Sequence, residues 1–154
     1  MLIFSAKLTK RHLFLGGGAV LLAAVVLLAV LLPRGEEAPP EAIPGGTDRE
    51  RVSYLASLGW QASPTPSETL EFTLPDPLGE TYERYNQLQL SQGFDLTAFA
   101  GRQVKRFTYP VSNHPKSSTA VQADLYVCDG VIIGGDILCA GPDSFVATLE
   151  FPGP

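Results

Sequence analysis

Residues 120–135 read AVQADLYVCDGVIIGG, and this stretch decides the class of fold. Residues 120–128 form a candidate strand, Asp129-Gly130 is a strong signal for a tight hairpin turn, and residues 131–133 begin the returning strand. Two strands joined by a two-residue turn run antiparallel. Gly134-Gly135 then permits either another reversal of the chain or a β-bulge. The stretch therefore predicts an antiparallel sheet in the C-terminal half.

Three further segments have the alternation of a strand, namely residues 69–74, 102–109 and 144–151. In the last of these, one face carries Phe145, Ala147, Leu149 and Phe151. Residues 110–119 are polar and are predicted as a loop. Because helical segments come first and strands mainly later, the pattern favours an α+β fold over a parallel α/β fold.

Two main helices are predicted before the strands. Thr47 and Glu50 form a capping box at the start of residues 48–58, and Gly59 is placed to end that helix. Residues 79–92 carry aromatic and amide residues at helical spacing and are followed by Gly93. Residues 94–101 are predicted to form a short helical turn capped by Asp95. Residues 47–154 are thus expected to form one α+β domain with an antiparallel sheet of about four to five strands.

A second kind of segment precedes this domain. Residues 13–32, which begin at Leu13 and end at Leu32, contain no charged residue. As a helix they would span roughly 30 Å, the thickness of the hydrocarbon core of a bilayer. The sequence therefore predicts a transmembrane helix whose partner is the lipid bilayer.

The flanking charges predict the orientation of that helix. Lys7, Lys10 and Arg11 stand before it, whereas the first acidic residue of the chain, Glu36, follows it. The positive-inside rule then places residues 1–12 in the cytoplasm as a short tail and the C-terminal domain outside a bacterial cell membrane. Residues 33–46, rich in Pro, Gly and Glu, are predicted to be a tether. A cleaved signal peptide, cut near Ala38 or Ala42, has the same orientation and stays open as the alternative.

Composition excludes some functions for the exported part. The chain is 45% hydrophobic and 18% charged, which is typical of a folded protein rather than a disordered one. Its formal net charge is -5, and residues 47–154 hold 13 Asp or Glu against 7 Lys or Arg. An acidic domain is a poor match for the phosphate backbone of nucleic acid. We therefore expect no nucleic-acid partner.

Three stretches carry a resemblance to a known family. Residues 85–89 read YNQLQ, residues 92–96 read QGFDL and residues 131–136 read VIIGGD. Together with Gly101, they resemble a family of small bacterial proteins classed as a domain of unknown function. The resemblance extends by layout over residues 47–151 and implies one N-terminal membrane helix followed by a single domain. It implies no activity, cofactor or partner.

Candidate catalytic and metal-binding residues are few. His114 is the one histidine after the apolar segment, and no G-x-S-x-G or similar motif places a base beside a nucleophile. Cys128 and Cys139 are the only cysteines, so a disulfide and two buried thiols both stay open. Their positions at the two ends of a predicted hairpin favour the thiols. Two cysteines fall short of a zinc site, and no cofactor is predicted.

Binding residues are the remaining candidates. Tyr85, Asn86, Gln89 and Gln92 carry neutral hydrogen-bonding groups that suit a sugar or a peptide strand. The simpler alternative is that the tyrosines pack on the sheet and the amides cap the helix or face water. Asp136 follows Gly134-Gly135, where a backbone anion site or a single carboxylate ligand of a metal competes with an ordinary turn or bulge.

The sequence therefore favours a membrane-tethered, non-catalytic binding or interaction domain that serves as an accessory of the bacterial cell envelope. Its further partner would be another membrane or envelope protein. Two alternatives stay open. One is a cell-envelope hydrolase that uses His114 or Asp residues, and the other is a structural subunit of a membrane complex.

Overall fold

The computed structural model describes residues 41–115, 120–141 and 144–153. The elements in chain order are helix α1 (Asp48–Ser57), strand β1 (Glu68–Thr73), helix α2 (Gly79–Leu90), a 3-10 helix η1 (Leu96–Phe99), and strands β2 (Gln103–Val111), β3 (Val121–Cys128), β4 (Val131–Cys139) and β5 (Phe145–Ala147). Every strand pairs antiparallel with the next, in the order β1-β2-β3-β4-β5. The predicted small α+β domain is confirmed.

The predicted cytoplasmic tail, residues 1–12, and the predicted transmembrane helix, residues 13–32, lie outside the described residues. Within the described ranges, neither α1 nor α2 has the length and apolar character that crossing a membrane demands.

Local sequence signals set the ends of the helices as expected. Thr47 caps α1 through the capping box with Glu50, and Gly59 follows the helix with a φ of 100°. Gly93 follows α2 with a φ of 84°. The carboxylate of Asp95 accepts a hydrogen bond from the backbone N–H of Thr97 and so caps η1. These helix ends could be predicted from residues that lie close together in the sequence.

The hairpin of β3 and β4 has the predicted turn, in which Asp129 and Gly130 both have positive φ. The chain does not reverse at Gly134-Gly135, however, because β4 continues to Cys139. The register shifts instead, so that Tyr126 pairs with Gly134 while Val127 pairs with Ile132. Of the two sequence alternatives, the reversal is wrong and the bulge lies one residue earlier.

The last strand, β5, is shorter than the strand predicted over residues 144–151. It ends at Ala147 because the backbone after it is held by side chains rather than by a neighbouring strand. The N–H of Leu149 donates to the amide oxygen of Gln92 (2.6 Å), and its carbonyl accepts from the indole of Trp60 (2.7 Å). The alternation was still informative, since Phe145, Leu149 and Phe151 all pack in one core.

The end of the predicted tether belongs to the folded domain. The carbonyl of Ile43 accepts from Ile132 N–H and the N–H of Gly45 donates to Gly130, both at 2.8 Å. The buried Arg51 guanidinium also donates to the Gly45 carbonyl at 2.5 Å. A compact unit therefore begins at Ala42 rather than at residue 47.

The sheet has a core on each face. On one face, Leu55 of α1 and Trp60 pack on Leu125 and Ile137 of β3 and β4. On the other face, which we call the α2 face, Tyr85 and other residues of α2 and η1 pack near Val104, Cys128 and Ile133. Strand β1 is an edge strand and is less covered than predicted, with Leu70 on the α2 face 45% exposed.

Candidate functional site

Helix α2 is joined to β4 through the amide of Gln89, whose side chain is fully buried. Its nitrogen donates to the carbonyl of Gly135 (3.0 Å) and its oxygen accepts from the N–H of the same residue (2.9 Å). One side chain thus takes the place of a neighbouring strand for β4. The amide that sequence suggested for ligand binding is engaged in holding the fold together.

Gln92 extends this junction by one turn. Its nitrogen donates to the carbonyls of Leu88 (3.3 Å) and Gly135 (3.1 Å), while its oxygen accepts from Leu149. Glycine is needed at 134 because a Cβ there would lie 2.7 Å from the amide oxygen of Gln89. The close approach of helix to strand therefore depends on both the amides and Gly134.

Asn86 has a separate structural task. Its oxygen accepts from the N–H of Leu96 (2.8 Å) and its nitrogen donates to the carboxylate of Asp95 (3.1 Å). The side chain is buried and fixes η1 against α2. Asn86, Gln89 and Gln92 are therefore brought together by the structure, but their polar groups face the protein itself.

Tyr85 and Asp136 meet on the α2 face. The Tyr85 hydroxyl donates to the Asp136 carboxylate in a very short contact, and the Tyr85 ring lies 5.5 Å from that of Tyr126. Burial raises the pKa of Asp136 to about 6, although the bond from Tyr85 opposes the shift. Burial and the nearby carboxylate also raise the pKa of Tyr85. The sequence indicated both residues as binding candidates but did not predict that they contact each other.

Asp136 ends a polar row that crosses four strands. Cross-strand pairing aligns Glu68, Thr108, Asp124 and Asp136 on the α2 face. Asp124 and Asp136 are directly opposite, where like charges repel, and each is only 4% exposed. Burial raises the pKa of Asp124 as well, although the Thr108 hydroxyl donates to it. Burial therefore raises the pKa of both facing carboxyls, because their ionised forms lose hydration there.

Arg106 lies beside this row. Its guanidinium donates to Glu68 at 2.7 Å, and its Nε lies 3.8 Å from the Asp124 carboxylate, beyond hydrogen-bond range. The sequence did not predict this row. The available signal was Asp124 within the apolar run of β3, since a buried carboxylate in a strand requires nearby partners.

A pocket of about 430 Å³ lies beside the α2–β4 junction. Its walls come from the last turn of α1, the end of α2 with the residues that follow it, and the chain after β5. They comprise Tyr54, Ser57, Leu58, Ser91, Gln92, Phe94, Thr148, Leu149, Glu150 and Phe151. A volume of this size accommodates a small molecule. Of the candidates from sequence, only Gln92 lines it.

The structure separates His114 from the carboxylate row. The His114 ring stacks on Trp60 at 6.0 Å and lies 5.3 Å from Phe145, which belongs to the core opposite the α2 face. His114 lines a second pocket of about 300 Å³, next to Phe151. Asp136 is not among the residues that line this second pocket. His114 and Asp136 therefore do not form one site.

The cysteines lie at opposite ends of the β3–β4 hairpin. Cys128 pairs with Val131 beside the turn and Cys139 pairs with Val121 at the far end. Both are buried and no disulfide joins them. Within the described ranges, no group of three or more His, Cys, Asp or Glu residues is arranged to hold a metal ion.

Residues 54–137 match the family described as Domain of unknown function (DUF4830). The chain belongs to this family. Comparison with curated proteins finds no match, and comparison with solved structures finds none either. The DUF4830 match includes α2, η1 and β4 to Ile137, and so contains the whole α2–β4 junction.

The stretches on which the resemblance depended are neighbours in the folded DUF4830 domain. Gln89 and Gln92 hold Gly135, and Tyr85 contacts Asp136. The resemblance to a domain-of-unknown-function family is therefore confirmed, and its residues have a structural explanation. They join one helix to the middle of one strand.

Proposed function

We propose that the DUF4830 domain of this chain is a non-catalytic binding module, held outside a bacterial cell membrane by a helix of residues 13–32. The observation that carries the binding role is the pocket of about 430 Å³ beside the α2–β4 junction. Part of its wall is held in place, because the Gln92 amide is hydrogen-bonded to both Leu149 and Gly135. A preformed pocket lowers the entropy lost when a ligand binds.

The hydroxyl groups in the pocket support binding rather than nucleophilic catalysis. Ser57 donates to the carbonyl of Tyr54 (2.6 Å) and Ser91 donates to the carbonyl of Leu88 (2.7 Å). A serine nucleophile instead donates its proton to a base that is held by a third group. Neither serine has that arrangement.

Binding is tested by calorimetry on the full chain in detergent micelles, with small cationic, anionic, sugar and neutral probes. Ser91→Phe places a ring at the pocket wall and is expected to abolish saturable binding of any probe that binds the wild type. Thr81→Phe, at an exposed position at the start of α2, serves as the matched control. If no probe binds the wild type saturably, or if Ser91→Phe binds as well as Thr81→Phe, the binding role at this pocket is wrong.

The tether rests on the uncharged residues 13–32 and on the basic residues ahead of them. We expect the intact chain to pellet with membranes and to need detergent for release. Protease added outside protoplasts is expected to digest the C-terminal domain. Recovery of the uncleaved chain in a detergent-free soluble fraction would contradict the tether. If the chain is an envelope accessory, another membrane or envelope protein is expected to co-purify with it. A structural subunit of a membrane complex predicts the same result.

A cell-envelope hydrolase is the second candidate, favoured by the facing carboxyls of Asp124 and Asp136 and by the raised pKa of Asp136. Against it, both carboxyls are almost fully buried, and His114 lies elsewhere. Wall-polymer hydrolysis that is lost in Asp136→Asn and retained in Asp76→Asn would support this alternative over the binding module.

A further inference from the structure

The last turns of both helices meet at the pocket. Tyr54 and Ser57 come from the end of α1, and Ser91 follows the end of α2. A helix carries partial negative charge at its C-terminus, which a basic residue in the last turn commonly offsets. Neither helix has a basic residue there. The two helix dipoles therefore favour positive charge over negative charge at this pocket.

The polar groups in the pocket are mainly acceptors. Ser57 and Ser91 have each donated their only hydroxyl proton to their own helix, so their oxygens offer lone pairs. Both protons of the Gln92 amide are used on Leu88 and Gly135. Glu150 adds an exposed carboxylate to the wall. A ligand that brings positive charge or donors complements this wall, whereas an anion does not.

Aromatic rings supply the apolar part of the wall. Tyr54, Phe94 and Phe151 line the pocket, and Phe151 is held edge-on by Trp60 at 4.7 Å. The faces of such rings attract cations, ammonium groups above all. Among the described residues that line the pocket, none is Lys, Arg or His. Aromatic rings of this kind form the cages in which proteins commonly bind quaternary ammonium groups.

We propose that this pocket binds a small organic cation, of the quaternary ammonium or alkylammonium class, as a free molecule. The inference rests on the proposed binding function and specifies its ligand. Glu150 supplies the opposing charge, and Phe94 with Tyr54 and Phe151 surrounds the cationic group. The hydroxyl oxygens of Ser57 and Ser91 accept hydrogen bonds from N–H or O–H groups of the ligand.

The experiment compares choline with 3,3-dimethylbutan-1-ol, which has the same shape but no charge. Trp60 is the only tryptophan of the chain and contacts the pocket wall through Phe151, so its fluorescence reports binding to the full chain in micelles. Choline is expected to bind about tenfold more tightly than the alcohol, in line with the usual strength of cation–π and helix-dipole interactions.

Two variants localise the site. Glu150→Gln is expected to weaken choline binding about fivefold and to leave binding of the alcohol unchanged, because only the charge is removed. Glu83→Gln, at an exposed position on α2, is the matched control and is expected to bind choline as the wild type does. Phe94→Leu keeps an apolar wall but removes a ring, so it should lower the preference for choline over the alcohol.

Equal affinity for choline and the alcohol would overturn the cation assignment and leave the binding role intact. Choline binding that is unchanged in both Glu150→Gln and Phe94→Leu would place the cation elsewhere and also overturn it. If choline fails to bind while an anionic, sugar or neutral probe of the calorimetric set binds at the pocket, the cation assignment is also overturned. Failure of every probe removes the proposed function itself. A variant that no longer binds the alcohol is checked by thermal unfolding. If Glu150→Gln unfolds at a lower temperature than the wild type, Glu150→Ala, which also removes the charge, replaces it.

Discussion

The α2–β4 junction and the pocket beside it are built from similar polar residues but use them in opposite ways. In the junction, the amides of Gln89 and Gln92 are saturated by the backbone of Gly135. In the pocket, the hydroxyls of Ser57 and Ser91 donate to backbone carbonyls, so their oxygens can still accept hydrogen bonds from solvent or a ligand. Residue type alone pointed to the amides as ligand-binding groups. The difference teaches that a binding surface is identified by the donors and acceptors that remain without a protein partner after folding, and not by residue type.

The two regions should also differ in energetics. Junction residues are buried and their loss leaves backbone groups without partners, which is costly. The pocket residues Ser57, Ser91 and Glu150 are exposed, so changing them should cost little stability. Substitutions that reduce stability and substitutions that reduce binding are therefore expected to fall in different regions.

The largest effect is expected for Gln89→Leu. Leucine has a similar volume, but it leaves the N–H of Gly135 without the acceptor seen at 2.9 Å. The free energy of unfolding should fall by about 3 kcal/mol, measured by chemical denaturation. Gln87→Leu, exposed on the same helix, should change it by less than about 0.5 kcal/mol. Equal stability of the two variants would contradict the role of the Gln89 amide.

The pH dependence of stability tests the carboxylate row. Burial raises the pKa of Asp136 from 3.8 to about 6, so the folded protein holds this proton more tightly than the unfolded chain does. Its contribution to stability is present below the unfolded pKa and is lost as the pH rises from about 4 to about 6. Asp136→Asn removes this titration while retaining an oxygen for Tyr85.

Between pH 4 and pH 7, the wild type should therefore lose on the order of 2–3 kcal/mol relative to Asp136→Asn. Asp124, whose pKa is also raised, is present in both proteins and largely cancels in the comparison. Asp76→Asn alters an exposed carboxyl and should track the wild type. Parallel pH profiles of the wild type and Asp136→Asn would show that burial does not raise the pKa of this carboxyl.

A smaller loss is expected for Gly135→Ala. The added Cβ would lie 2.5 Å from the carbonyl oxygen of Asp124 and 2.7 Å from Leu149, so backbone must move. Overpacking of this kind costs about 2 kcal/mol, which thermal unfolding would detect. Gly153→Ala has no atom within 4 Å of its Cβ and is the control. If both variants unfold like the wild type, Gly135 lies farther from Asp124 and Leu149 than described.

The smallest effect on stability is expected in the pocket. Glu150→Gln should change the free energy of unfolding by less than about 0.5 kcal/mol, because the residue is exposed. The same change should reduce binding of a cationic probe. A large loss of stability here would erase the distinction between junction and pocket, and would make Glu150 a structural residue.

Much of the fold followed from local sequence. The capping box at Thr47, the glycines after both helices and the Asp129-Gly130 turn act over a few residues, so their effect does not depend on distant contacts. The lengths of β4 and β5 were harder to predict. Gln89 and Gln92 satisfy the backbone of Gly135 and Leu149 from another element, and no local pattern contains that information.

The candidate site was less predictable than the fold. Tyr85 and Asp136 were recognised as candidates one at a time, but they are 51 positions apart and only the packing of α2 on the sheet brings them together. The partners of Asp136 across the sheet depend on register, which a single-residue shift at Tyr126 changes. The pocket draws on three separate segments, and its residues share no motif.

The sequence by itself determined the α+β class, the antiparallel hairpin, the helix caps and the turn, because each depends on backbone preferences and on groups a few residues apart. The tertiary structure alone decided which polar groups are satisfied inside the protein and which remain for a ligand. That distinction depends on hydrogen bonds between distant segments and on burial. Gln92 illustrates both, since its amide is fixed by Gly135 and Leu149 while its side chain forms part of the pocket wall.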